Sequence, residues 1–254
     1  AKLPLHNSVL APGGSVLYSE KAKKCLQPCF KVYLNASLET IKSRITEIDK
    51  RGIVRLRKMG LDNLYAERKG IYQSYMNIEL DSEKNSADEA AVKIVKAYCI
   101  RQLSKNKSGI NYISTNQKSM AGFNDALMLG LAPDKGLFVP DKFPLFSEDE
   151  IALMEHLDYP EIAFVILRQF VNIDDDKLMD ICRQAYSFGI PMEDCNDFTI
   201  ARLDQGPSAS FKDFAMQLLS RMMFHASSHA SKQTIILTAT SGDTGGAVAS
   251  AFRN

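Results

Sequence analysis

The chain has 254 residues, 45% hydrophobic and 24% charged, with 14 glycines and 9 prolines; this balance excludes collagen, low-complexity disorder and a disulfide-built scaffold, and leaves one or two globular domains. The net charge of +1 gives no case for a nucleic-acid or membrane-surface binder. It conceals an asymmetry: residues 1–110 carry 20 basic and 11 acidic side chains, and residues 111–254 carry 11 and 19, so two electrostatically different pieces share one chain. Apolar runs such as Ile162 to Leu167 fall well short of the roughly 20 residues a membrane helix needs. Five cysteines (Cys25, Cys29, Cys99, Cys182, Cys195) are too few and scattered for a disulfide framework and predict a reducing compartment, the cytoplasm or the mitochondrial matrix. The opening Ala1-Lys2-Leu3-Pro4 is neither an initiator methionine nor a signal peptide, and Asn254 falls early in an expected helix, so both ends are expected to be cut.

In chain order, Phe30 to Leu34 predicts a short buried strand, and Ser37 an N-cap for a helix with Leu38, Ile41, Ile45 and Ile48 on one face. A second helix is expected through Leu61, Leu64, Tyr65, Ile71, Tyr72 and Tyr75, then a strand at Ile78 to Leu80. Ser86 and Glu89 have capping-box spacing ahead of Ala91, Ile94, Val95 and Tyr98. This alternation implies α/β layers. The polar Ser104 to Gly109 stretch, where the charge balance changes sign, predicts a domain boundary between 1–109 and 110–254. Beyond it a strand is expected at Tyr112 to Ser114, then mostly helix, with a capping box at Ser147 and Glu150 and Pro160 in a first helical turn. One of Asp174, Asp175 and Asp176 should cap the helix carrying Leu178, Ile181 and Cys182. Strands are expected at Phe198 to Leu203 and Thr234 to Ala239. Between them, Phe211, Phe214, Ala215, Leu218, Leu219, Met222 and Met223 form an apolar stripe expected to pack on a sheet.

Chemistry concentrates in two loops that each lead into a helix: GPSASFKDF (Gly206 to Phe214) and TATSGDTGG (Thr238 to Gly246). In the second, Ser241, Gly242, Thr244 and Gly245 allow close backbone approach, and a helix start offers N–H groups to a carboxylate or phosphate. An ordinary strand-to-helix turn would also be glycine-rich. Lys212 sits near a helix start between Phe211 and Phe214, where desolvation and the positive helix end both favour a neutral amine. Such an amine can form a Schiff base with an aldehyde cofactor, whereas an isolated lysine of this kind reads as a solvated helix side chain. His225 and His229 are spaced i, i+4 without the glutamate of a zinc-protease motif, and Met216, Met222 and Met223 read as core filler.

The first loop resembles the threonine synthase family, whose cofactor lysine lies in H-G-P-T-x-x-F-K-D and whose substrate loop reads T-S-G-D-T-G. YIST (Tyr112 to Thr115) and GLAPDKGLFVP (Gly130 to Pro140) resemble the same family's amino-terminal signature. The resemblance covers residues 111–254. It implies pyridoxal 5′-phosphate on Lys212, with Ser241, Gly242, Asp243 and Thr244 cradling substrate or cofactor, and lyase chemistry on O-phosphohomoserine giving threonine and phosphate. The family's His is Gln205 here, its Thr is Ser208, and the basic residue expected after YIST is Asn116. Its cofactor-phosphate loop is expected beyond Asn254, which implies weak or absent cofactor binding by these residues alone.

Residues 8–103 resemble the shikimate-kinase-like small-molecule kinases. Gly13 and Gly14 resemble the glycine segment near the phosphate acceptor, Lys50, Arg51, Arg55, Arg57 and Lys58 fall where the family has its lid, and Arg68 matches an arginine that contacts the acceptor carboxylate. A solvated basic face beside an amphipathic helix is the plainer alternative. No Gly-Lys dipeptide occurs in the chain, so no P-loop is present to hold ATP and its magnesium. The expected architecture is α/β: a partial P-loop-kinase-like domain followed by the front part of a fold-type II pyridoxal enzyme. Its expected partners are a phosphorylated amino-acid substrate and a second copy of the chain, without nucleic acid, membrane or metal. The competing expectation is a non-catalytic binding or regulatory protein derived from a kinase–synthase fusion.

Overall fold

The computed structural model describes residues 8–46, 52–105, 107, 109–227 and 234–253. The chain forms two compact units, 1–98 and 99–254.

The first unit opens with a short 3-10 turn (Val16–Tyr18) and helix α1 (Glu20–Leu26). Strand β1 (Val32–Asn35) then leads to α2 (Leu38–Arg44), whose first turn is capped by Ser37, the side chain accepting from the Thr40 N–H. Ile45 is the C-cap of α2 and has an extended backbone, and Ile48 lies outside the described residues. Helix α3 (Leu56–Gln73) is broken at Gly60, whose φ of 74° no helical residue adopts. Strand β2 (Ile78–Asp81) pairs in parallel with β1, Val32 opposite Ile78. A parallel pair requires a crossover, which α2 and α3 supply. Helix α4 (Ala87–Leu103) follows a capping box in which the Ser86 and Glu89 side chains each accept the other's backbone N–H, at 3.2 and 2.8 Å.

In the second unit, β3 (Tyr112–Ser114) is the centre of a three-stranded antiparallel sheet with β4 (Met120–Ala121) and β5 (Phe138–Pro140), and α5 (Phe123–Leu129) lies between these edges in sequence. Helices α6 (Glu148–Met154) and α7 (Tyr159–Leu167) both begin with capping boxes, at Ser147/Glu150 and Asp158/Glu161, and Pro160 occupies the first turn of α7. Asp174 caps α8 (Asp175–Ala185) by accepting from the Asp176 and Lys177 N–H groups. The core is built by α7, α8 and the segments that lead into them: Leu157, Phe164, Val165, Ile173, Leu178 and Cys182 are all buried in it. Between α7 and α8, the buried Arg168 guanidinium donates from Nε to both carboxylate oxygens of Asp175 at 3.0 and 2.9 Å.

Three expectations are corrected. The strand at Phe198 to Leu203 is shorter, β7 (Phe198–Ala201), and pairs antiparallel with an unexpected β6 (Met192–Cys195). Thr234 to Ala239 forms no strand: Ile235 and Leu237 stay exposed, and among the described residues no partner strand takes up their backbone groups. The apolar stripe belongs to α9 (Asp213–Ser227), which packs on helices α5, α8 and α10 (Asp243–Ala251) rather than on a sheet. Phe211 falls outside that helix and stays exposed, while Phe214 packs edge-on against Tyr159 and Phe188 at 5.6 and 5.1 Å between ring centres.

Candidate active site

The two chemistry-bearing loops meet. Lys212 immediately precedes α9, and its Nζ lies 3.8 Å from Oδ2 of Asp243, the first residue of α10, and 4.2 Å from the centre of the Phe211 ring. The Lys212 side chain is about three-quarters buried, at 28% exposed, whereas Asp243 is at 78%. At that exposure the ion pair contributes about 1 kcal/mol or less, so it orients the amine without locking it. An open cleft of about 360 Å³ lies here, lined by Leu203, Asp204, Ser208, Ser210, Phe211 and Asp243.

The second loop is shaped by a threonine that no local sequence pattern marks. Thr240 Oγ1 accepts the N–H of Gly242 at 3.1 Å and of Gly245 at 3.0 Å, closing the turn. Gly242 has φ 144°, a conformation open to glycine, and a Cβ on Gly245 would stand 2.9 Å from Thr240 Oγ1. Ser241 and Gly242 are exposed, and Thr244 is half-buried at the start of α10. At the cleft rim, Asp204 accepts from Arg202 Nε and Nη2 at 3.0 and 2.6 Å; with the Gln205 amide, this guanidinium holds the Asp204 carboxyl well below the usual carboxylate range. Gln205 therefore points its amide nitrogen at Asp204 rather than at Lys212.

The first loop also has a buried anchor outside the expected set. Asp213 is fully buried, and its carboxylate accepts both the backbone N–H and the hydroxyl of Ser208. Its signal in the sequence is an acid in the first turn of an expected helix, which alone does not reveal burial.

In the first unit, Gly14 lies against Arg68: a Cβ there would stand 2.8 Å from Arg68 Nη1 and from the Tyr72 hydroxyl, which donates to the Gly14 carbonyl at 2.6 Å. Gly13 has open space around it. Arg55 and Arg68 both lie over the Tyr18 ring, at 5.1 and 5.9 Å, and Arg55 also pairs with Glu67. Arg51 and Lys50 lie outside the described residues, as does His229; among the described residues no group of three metal-ligating side chains is found.

The chain is α/β in class, with an arginine-bearing candidate site in the first unit and a lysine loop in the second. In particular, residues 2–99 match the family model for shikimate kinase, and residues 111–186 match the model for the threonine synthase N terminus. Threonine synthase of Methylobacillus glycogenes is 37% identical over 161 residues, covering 57% of this chain and 34% of its own length. That of Pseudomonas aeruginosa is 39% identical, covering 54% and 31%. A crystal structure of pyridoxal-phosphate-bound threonine synthase from Brucella melitensis superposes with a TM-score of 0.55 at 36% identity, over 57% of this chain and 33% of that one. The chain thus spans about a third of the length of the relatives it matches. No described helix is long and apolar enough to cross a membrane.

Proposed function

We propose that residues 110–254 form the lysine-bearing part of a threonine-synthase-like carbon–oxygen lyase that uses pyridoxal 5′-phosphate and acts on O-phosphohomoserine, giving threonine and phosphate. The observation that carries the reading is the approach of Lys212 Nζ to Asp243, each at the start of a helix, beside the open cleft that Phe211 and Asp243 line. The residues suit the cofactor: a three-quarters-buried primary amine can condense with an aldehyde, and the hydroxyls of Ser241 and Thr244 with the first turn of α10 supply hydrogen-bond donors for an anionic group. When bound, the cofactor supplies the electron sink for carbanion chemistry.

On this reading Lys212 Nζ carries protons between substrate carbons, a role open to an amine that lies beside two cleft-lining residues, Phe211 and Asp243. Asp243 takes up the ammonium form of Lys212 when that proton is on nitrogen. The Phe211 ring covers the amine on one side and limits its contact with water. The Gly242 turn brings backbone close to the substrate's carboxylate or phosphate.

Residues 1–109 are assigned to acceptor binding by a kinase-like domain, with Gly14 and Arg68 as its contact pair and Gly13 and Arg51 as further members. The compartment is the cytoplasm or the mitochondrial matrix, and the competing reading is a binding or regulatory protein without catalysis.

The test is reductive trapping. Pyridoxal phosphate is added to the protein, the mixture is reduced with borohydride, and the labelled peptide is identified by mass spectrometry. In the full-length protein that carries these residues, preferential label on Lys212 over surface lysines such as Lys84, lost in Lys212→Ala, is expected, with only weak preference in residues 1–254 alone; label spread evenly over surface lysines of the full-length protein favours the non-catalytic reading.

A further inference from the structure

We propose that Asp213 is a positioning residue for Lys212, its buried carboxylate fastening the Gly206–Ser210 loop to the start of α9 and so fixing where the lysine stands. The proposal rests on the reading of Lys212 as the cofactor-bearing residue. A fully buried aspartate is rare unless its oxygens are satisfied. Here Oδ2 accepts the Ser208 N–H at 2.8 Å and Oδ1 accepts the Ser208 hydroxyl at 2.9 Å. Neither donor is a cation, so the carboxylate is held by the loop itself.

The loop is moulded to this group. A Cβ on Gly206 would lie 2.5 Å from Asp213 Oδ2 and 2.6 Å from its Cβ, so the backbone passes where only glycine fits. Ala209 is held at φ 54°, a left-handed conformation that a side chain adopts only when its surroundings impose it, and its N–H donates to the Gly206 carbonyl at 3.0 Å. Ser210 then receives two bonds: its carbonyl accepts the Asp213 N–H at 3.0 Å, and its hydroxyl accepts the Lys212 N–H at 3.3 Å. On the helix side the Lys212 carbonyl accepts the Met216 N–H at 3.0 Å. The main chain of Lys212 is thus fixed between the loop and the helix, and the carboxylate one residue further on ties the two together. Asp213 has no exposed surface and does not line the cleft, so its role runs through the loop and the main chain of Lys212. An anion at this position also complements the positive end of α9.

The test compares wild type with Asp213→Asn, Ser208→Ala and Ser208→Thr. The rate of borohydride-trapped pyridoxal-phosphate labelling at Lys212 is divided by that at Lys84, an exposed lysine of the first unit, in the same sample. Amide hydrogen exchange of residues 206–212 is followed in the cofactor-free protein, and each variant's thermal midpoint is recorded. Asp213→Asn and Ser208→Ala should lower the labelling ratio about tenfold, in line with the cost of small misplacements of a reacting group, and speed exchange of the loop amides; Ser208→Thr, which keeps the hydroxyl, should restore both. If Asp213→Asn does not fold, the two Ser208 variants decide. Folded variants that keep the wild-type ratio, with only a lower midpoint, overturn the positioning role. A wild-type ratio of one or less overturns the reading of Lys212, and this proposal with it.

Discussion

Gly206 and Gly246 separate steric from conformational effects within one unit. At Gly206 an added methyl would collide with the Asp213 side chain at 2.5–2.8 Å, and because that side chain is buried and held by Ser208 it cannot swing aside. Gly206→Ala should therefore destabilise the protein by about 1–3 kcal/mol, the usual cost of overpacking. At Gly246, inside α10, nothing lies within 4 Å of the added atom, and Gly246→Ala should stabilise by about 0.5–1 kcal/mol through helix propensity. Urea unfolding followed by circular dichroism reads both; equal effects of the two substitutions would show that the loop tolerates a side chain at Gly206. At this scale Lys212 was legible because its motif is contiguous. The burial of Asp213 and the turn-closing role of Thr240 were not, since each depends on which backbone groups the folded loop turns towards it.

Elements with local signals were legible and those with nonlocal ones were not. The caps at Ser37, Ser86, Ser147 and Asp174 could be read because donor and acceptor lie within three residues of each other. The hairpin of β6 and β7 turns at Asn196, which takes the left-handed φ of 53° that Asn tolerates, yet its first strand, Met-Glu-Asp-Cys, has little apolar content to mark it. Thr234 to Ala239 is strand-like in composition, but a strand exists only through a neighbour. The α7–α8 layer supports a pH prediction. Burial pushes the Cys182 thiol up from 9.0 to about 12 and raises the Tyr159 and Tyr186 hydroxyls as well. For a group that is neutral when protonated, a folded pKa above the unfolded one means that the unfolded chain loses its proton first. The stabilisation is therefore complete below about pH 9 and is lost as pH rises towards 12, at up to about 1.4 kcal/mol per pH unit for this thiol. Cys182→Ala should lower stability at neutral pH through its cavity but flatten the decline between pH 9 and 11. A variant whose alkaline slope matches wild type would show that the thiol does not contribute to it.

For the whole chain, the charge of the first unit points to the kind of ligand it would hold. Residues 1–110 carry nearly twice as many basic as acidic side chains, and the structure places Arg55 and Arg68 on one aromatic ring beside Gly14. That arrangement would suit the carboxylate of a small acceptor, whose binding should weaken as salt screens the field. Phosphoryl transfer needs more, because its catalysis consists almost entirely of holding the phosphates and their charge in line. A phosphate-cradling loop with its lysine would contain a Gly-Lys pair, and none occurs in these 254 residues. The chain by itself should accordingly bind an acceptor such as shikimate or homoserine, with an affinity that falls on raising salt and on Arg68→Ala, yet release no phosphate from ATP. Calorimetric titration with each acceptor, alongside a phosphate-release assay, tests both halves of this expectation. ATP turnover that Arg68→Ala abolishes would mean that another part of this sequence cradles the nucleotide, and the acceptor-only assignment of the first unit would fall.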